Sequence, residues 1–199
     1  MNLAKSIHTV VFVPGLGGDV RKVELVAKLW RGFTPIVFDM QWRDGRDFEP
    51  KLRRLLQVID SALMRGKVSI VGLSAGGSAI GNVFLERKDK LNAMVNVCGR
   101  LRRGPLTGFR SFEKMTQTSP AFRQSTERFE DSEQLLSVND RKRILTIRSL
   151  ADELVPGSTI PIEGATNIIV PSVEHSLSIG LATTLFSGQI QRFLKDMEQ

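Results

Sequence analysis

A chain of 199 residues, 41% apolar and 25% charged, has the composition of a globular protein and a length that suits one domain better than two. One cysteine excludes an internal disulfide and a multi-thiolate metal site, and two histidines leave little for a His-based cage. The net charge of +7 raises the question of nucleic acid, but the densest basic spots, Arg100, Arg102, Arg103 and the run Arg141, Lys142, Arg143, carry no interleaved aromatics and tyrosine is absent, so no nucleic-acid partner is expected.

At the start of the chain, Met1 to Lys5 is followed by an apolar run, Val10 to Pro14, too short for a secretion signal. No apolar run approaches the roughly 20 residues that span a bilayer, so a cytoplasmic protein without a transmembrane segment is expected. Thr9 to Val13 reads as a first strand, and Asp19 as the N-cap of a helix in which Val23, Val26, Ala27 and Trp30 recur at helical spacing. Pro35 to Phe38 reads as a second strand. A stronger helical stripe runs from Phe48 through Leu52, Leu55, Leu56, Ile59 and Leu63, with Pro50 tolerated in its first turn. Val68 to Leu73 is a third strand, followed at once by a helix carrying Ala79, Ile80, Val83 and Phe84. Ala93 to Val97, Ile144 to Arg148 and Asn167 to Val170 complete the strands, and Ile190, Phe193, Leu194 and Met197 mark a C-terminal helix.

The strands are apolar nearly throughout rather than alternating, as parallel strands covered on both faces are. The expected fold class is therefore α/β, three layers with a mostly parallel sheet of about six strands. Residues 102–140 interrupt this rhythm, with no strand pattern and scattered Phe109, Phe112, Phe122 and Phe129. A stretch of that length is expected to be a partly helical cap over one end of the sheet, within a single domain of residues 1–199.

The chemistry concentrates at VSIVGLSAGG, Val68 to Gly77, where a buried strand runs through Gly72-Leu73-Ser74-Ala75-Gly76 into a helix. A G-x-S-x-G string is weak by itself, but a sharp strand-to-helix turn exposes the serine Oγ and crowds the positions two before and two after, where glycine has no Cβ to clash. A serine hydroxyl needs a general base near neutral pH, and a third group to orient that base. Of the two histidines, His8 precedes the first strand and belongs at the opposite end of a parallel sheet. His175 follows the last strand and emerges at the same edge as Ser74. Asp152 follows the fifth strand at that edge and is the expected orienting acid, with Glu153 as runner-up; Asp60 faces out of a helix, and Asp39 comes too early in the chain.

With these residues in place the sequence resembles the α/β-hydrolase superfamily over nearly its whole length: VVFVPGLGG on the first strand, GLSAG at the turn, then the Asp152 and His175 loops, in the order Ser, Asp, His. The resemblance implies a compact esterase- or lipase-like serine hydrolase of ester or thioester bonds, with Ser74 as nucleophile, Asp152 as orienting acid and His175 as base. It also implies an oxyanion hole from the backbone N–H groups of Leu16, in the loop Pro14-Gly15-Leu16-Gly17-Gly18, and Ala75. No metal or organic cofactor is implied, and the partner is a small acyl substrate. Arg100, Arg102 and Arg103, which follow the fourth strand at the catalytic edge, are expected to attract an anionic substrate group; Asn96 and Cys98 beside them read as strand-end packing. Two rival readings stand beside this one, the second of which leaves Ser74, Asp152 and His175 unexplained. A non-hydrolytic or binding member of the fold, such as a cofactor-free perhydrolase, shares the triad. A dinucleotide-binding module would use Gly15, Gly17 and Asp39, but its fingerprint fails at Val20, where a small residue is needed.

Overall fold

The computed structural model describes residues 7–108 and 111–197, so that Phe109 and residues 1–6 lie outside it. Six strands, β1 (Ile7–Val13), β2 (Thr34–Val37), β3 (Gly66–Leu73), β4 (Ala93–Val97), β5 (Ile144–Ser149) and β6 (Thr166–Val170), form one sheet in the order β2-β1-β3-β4-β5-β6. Every neighbouring pair is parallel. Eight helices accompany them among the described residues: α1 (Val20–Lys28), α2 (Phe48–Leu63), α3 (Gly76–Arg87), α4 (Phe112–Thr116), α5 (Pro120–Ser132), α6 (Val138–Lys142), α7 (His175–Thr183) and α8 (Ser187–Asp196).

The unbroken apolar character of the strands is explained by two cores, one on each face. Val11, Val13, Val68, Ile70, Met94 and Ile144 pack against α2, α3 and α5, while Val10, Phe12, Val71, Leu73, Val95, Val97, Leu145 and Ile147 pack with Ala27 and Trp30 near α1 and with Ile190 and Leu194 of α8. Alternate residues of each strand thus feed opposite layers, the three-layer arrangement of an α/β protein. The edge strand β6 departs from the pattern: only Val170 is buried, and Ile169 is 49% exposed.

The chain leaves β1 toward β2 on one side and leaves β3 toward β4 on the other, so the sheet order reverses at the β1–β3 pair. Register puts Val13 beside Gly72 there, which brings Gly15 beside Ser74 at the carboxyl edge. A crevice at such a reversal is where open α/β sheets place ligands.

One segment departs from the sequence reading, and a second gains detail. His175 is not in a loop but is the first residue of α7, whose mixture of Ser, Gly, Leu and Ile carries no amphipathic stripe; the Glu174 side chain supplies the start, accepting from the Ser176 and Leu177 amides. Residues 102–140 hold α4, α5 and part of α6, with α5 packed on α3 and α2. A Cβ added at Gly81 of α3 would stand 2.5 Å from the Phe129 ring, so this contact requires glycine.

Asp140 locks the return from this excursion. Its carboxylate closes a capping box with Ser137 at the start of α6 and meets Arg143 at 2.9 Å and Lys88 at 3.4 Å. Burial pushes this carboxyl up, but the Ser137 hydroxyl and amide, Arg143 and Lys88 outweigh it and take it from 3.8 to about 2. A lowered folded pKa stabilises above the unfolded value and is lost as pH falls through the folded one. Asp140→Asn is therefore expected to lower the unfolding free energy by roughly 2 kcal/mol at pH 7, at ~1.4 kcal/mol per unit. Urea unfolding measured between pH 6 and pH 2 should show the difference shrinking on the acid side.

Candidate active site

Ser74 follows the last residue of β3 and has φ +52°, a left-handed backbone that an L residue adopts at a cost of roughly 1–2 kcal/mol. Surrounding contacts hold it there: its N–H donates to Val97 O at 3.0 Å, and its carbonyl accepts from Gly77 N at 2.9 Å. The flanking glycines have no room for a side chain. A Cβ at Gly72 would lie 2.5 Å from Gly76 O, and one at Gly76 would lie 1.9 Å from Val13 O. From the other side, a Cβ at Gly15 would stand 2.6 Å from Ser74 Cβ and 3.1 Å from its Oγ. The loop after β1 therefore touches the serine with bare backbone.

His175 is 5% exposed. Its Nε2 lies 2.8 Å from Ser74 Oγ and its Nδ1 2.7 Å from Asp152 Oδ2. Asp152 is aimed by its own turn, since Oδ1 accepts from the Leu154 and Val155 amides at 2.8 and 2.7 Å while the Ser149 hydroxyl approaches Oδ2 at 3.3 Å. Burial pushes the Asp152 carboxyl up, but hydrogen bonds from the His175 ring and the Val155 and Leu154 amides prevail and hold it below the ordinary carboxylate range. Glu153 acts on the backbone instead, where its carboxylate accepts from the His175 N–H at 3.0 Å, fixing the start of α7 and with it the ring.

Leu16 and Ala75 line the same cavity as Ser74 and His175, a space of about 550 Å³ at the carboxyl edge. Its walls come from α1 (Lys22, Val23, Val26), from α7 (Ser176, Ile179, Thr183) and from Met115, Thr118 and Phe122 of the 102–140 excursion. Pro14, at the head of the Leu16 loop, is pinned through its carbonyl by Trp42 Nε1 at 2.8 Å.

The arginines divide. Arg100 lines the cavity but is 1% exposed, with its guanidinium donating to Arg102 O and Arg103 O and lying 5.3 Å over the Phe112 ring. Arg102 pairs with Glu133 at 2.5 Å and Arg103 with Glu130 at 2.6 Å and Asp131 at 2.9 Å. The structure does not bring these two together with Ser74; their charges tie the loop after β4 to the end of α5, where acidic residues were available. His8 bonds Ser69 Oγ at 2.9 Å near the amino end of the sheet, and Asp60 pairs with Arg87. Asp39 caps the Gln41 amide at 2.8 Å.

Cys98 is buried with φ +52°. Burial, assisted by the Asp152 charge, pushes its thiol up to about 12, which leaves it protonated and a poor nucleophile. Asn96 donates to Gly99 O at 2.9 Å, as strand-end packing requires. Among the described residues no group of three or more His, Cys, Asp or Glu side chains could hold a metal ion, and no helix is long and apolar enough to cross a membrane.

Residues outside the sequence reading complete the surroundings: Glu174, which anchors α7, and the 40–44 loop bearing Trp42. No local pattern signals them, because each acts through a partner or a bond that periodicity does not record.

No protein-family model matches the chain, and no curated protein matches it in sequence. Solved structures do match in shape. Over 96% of this chain and 94% of the other it is similar, at TM-score 0.71 and 15% identity, to a structure reported for two metagenome-derived lipolytic enzymes, LipS and LipT. Est1E from Butyrivibrio proteoclasticus matches at TM-score 0.70 and 16% identity over 98% and 90%. The monoacylglycerol lipase of Paleococcus ferrophilus matches at 0.66 and 16% over 95% and 94%. The likeness is one of fold: the helix-flanked parallel sheet of this chain matches these structures in shape over nearly its whole length.

Proposed function

The chain has the α/β-hydrolase fold, and we propose that it is a serine hydrolase that cleaves a carboxylic ester or thioester of a small acyl substrate. The observation that carries this reading is the continuous hydrogen-bonded line from Ser74 Oγ through His175 to Asp152 at the wall of a 550 Å³ cavity. Nucleophile, base and orienting acid stand within the reach each role requires.

His175 Nε2 takes the Ser74 proton as Oγ bonds to the substrate carbonyl carbon and the carbonyl oxygen becomes an oxyanion. The Leu16 and Ala75 amides meet that charge. As the tetrahedral intermediate collapses, His175 gives the proton to the departing oxygen or sulfur, and the acyl group remains on Ser74. Water then attacks with His175 again as base, the acid departs, and Ser74 recovers its proton. Asp152 stays ionised throughout, holding the Nδ1–H tautomer and stabilising the imidazolium. No cofactor enters. In this reading residues 1–199 are one domain, residues 102–140 cap the cavity through Met115, Thr118 and Phe122, and the single buried thiol fits a reducing compartment such as the cytoplasm.

A fluorophosphonate probe should add covalently to Ser74, located by peptide mass spectrometry; a folded chain that is not labelled at Ser74 overturns the proposal. p-Nitrophenyl esters of graded chain length, run beside acyl-CoA thioesters, decide between ester and thioester. Gly15→Ala is expected to reduce kcat by roughly 10- to 100-fold, because the added methyl must displace either Ser74 or the Leu16 amide from its alignment. Comparing kcat with the unfolding midpoint checks this, since a general loss of folding would move both.

A further inference from the structure

We infer that the cavity selects esters or thioesters bearing an anionic group, phosphate or carboxylate, which Arg43 and Lys22 hold at its rim; this rests on the hydrolase reading above. The cavity wall is uneven in charge. Val23, Val26 and Ile179, with Phe12 and Leu73, offer an apolar trough between α1 and α7, whereas Lys22, Arg43 and Arg100 are basic. Asp19 is the only carboxylate on the wall among the described residues, and its Oδ1 accepts from the Arg21 amide as the cap of α1.

The three cations are not equivalent. The Arg100 guanidinium is turned to the loop carbonyls and the Phe112 ring. Lys22 and Arg43 are exposed, and among the described residues neither side chain makes a hydrogen bond or ion pair. That contrasts with Arg102, Arg103, Arg128, Arg141 and Arg143, each committed to a carboxylate. Two uncompensated cations on one concavity raise its potential and favour an anion there.

Arg43 is also held by a built support. Lys51 has its ammonium buried beneath the loop, donating to Met40 O at 3.0 Å, Gln41 O at 2.8 Å and Asp44 Oδ1 at 2.6 Å. Gln41 takes φ +51°. Trp42 Nε1 reaches Pro14 O at 2.8 Å, and the Ser119 hydroxyl donates to Trp42 O at 2.6 Å. Burying a lysine costs several kcal/mol unless its donors are satisfied, and here all three bonds fix the loop that carries Arg43. The same loop is joined through Trp42 to the backbone that leads into Gly15 and Leu16, so Arg43 keeps a set relation to the reacting carbonyl. Its planar fork suits the two oxygens of a carboxylate or phosphate.

The test compares matched substrates. The butyryl thioesters of 4′-phosphopantetheine and pantetheine share a reacting group with and without phosphate; 4-butyryloxybenzoate and its methyl ester do the same for carboxylate. At low ionic strength the wild-type chain is expected to favour the anionic member by at least ~10-fold in kcat/KM, about 1.4 kcal/mol. The double variant Lys22→Glu, Arg43→Glu should bring that ratio to one or below. Preference in the first pair alone assigns a phosphate, and in the second alone a carboxylate. Lys90→Glu, a charge reversal of half that size at the amino edge of the sheet, should leave both ratios intact. Equal turnover of both members by the wild type, or an equal shift caused by Lys90→Glu, overturns the inference. If none of the four substrates is hydrolysed, the hydrolase reading fails by itself, and calorimetric binding of the corresponding butanamides decides the other: tighter, variant-sensitive binding of the anionic amides supports it, and equal binding overturns it.

Discussion

Replacing Ser74 by alanine is expected to reduce kcat on a turned-over ester by at least ~10⁴-fold, with KM changed little and fluorophosphonate labelling abolished. Alanine removes only the nucleophilic oxygen. The Leu16 and Ala75 amides and the cavity stay in place, so residual turnover above the uncatalysed rate would come from them. The loss must also be separable from misfolding, and the backbone offers the means. At φ +52° an L side chain is strained and glycine is not. Ser74→Gly is therefore expected to be as inactive as Ser74→Ala while keeping an unfolding midpoint equal to the wild type or higher, against which the greater chain entropy of glycine works by ~0.5–1 kcal/mol. Activity lost together with a raised or unchanged midpoint marks a residue that serves chemistry rather than folding. A Ser74→Ala chain retaining a tenth of wild-type kcat would remove the nucleophile from the proposed mechanism.

How far the sequence discloses this site depends on the range over which each constraint acts. The six strands are legible because each must be apolar on both faces, and that burial is written in consecutive residues such as Val68 to Leu73. The turn at Ser74 is legible because its crowding falls on Gly72 and Gly76, two residues either side. Parallel topology then fixes which loops share an edge, and so separates His175 from His8. Helix α7 is hidden because its stability rests on Glu174 and Glu153 bonding its first amides rather than on a periodic apolar stripe. The arginine cluster after β4 misleads for a related reason. Sequence shows Arg102 and Arg103 near the edge, but their carboxylate partners lie 27 to 31 residues onward, in α5 and the turn after it. The exposed cations of the cavity wall, Lys22 and Arg43, come from α1 and from the loop before α2, whose approach only the tertiary fold creates.

The adjacent pair Asp152 and Glu153 supplies the second large expected effect, because both carboxylates touch His175 and only one touches its ring. Asp152→Asn preserves shape and can still accept the Leu154 and Val155 amides through its carbonyl oxygen. Its NH₂, however, would face Nδ1 as a donor. The ring would then carry its proton on Nε2, the atom 2.8 Å from Ser74 Oγ, and could no longer accept the serine proton. A fall in kcat on the order of 10⁴-fold is expected. Glu153→Gln keeps an oxygen to accept the His175 backbone N–H and should cost no more than about threefold, with a small loss of stability from the weaker neutral hydrogen bond. Asp152→Asn also has a signature on the acid side. The Asp152 carboxyl lies below the ordinary range in the folded chain, so the stability it supplies is present above the unfolded carboxylate pKa and is lost as pH falls through the folded value. Asp152→Asn should therefore flatten the acid limb of the stability curve, as read by urea unfolding at a series of acid pH values. Equal losses of kcat in the two variants would mean that Asp152 acts by holding the loop and not by setting the tautomer of His175.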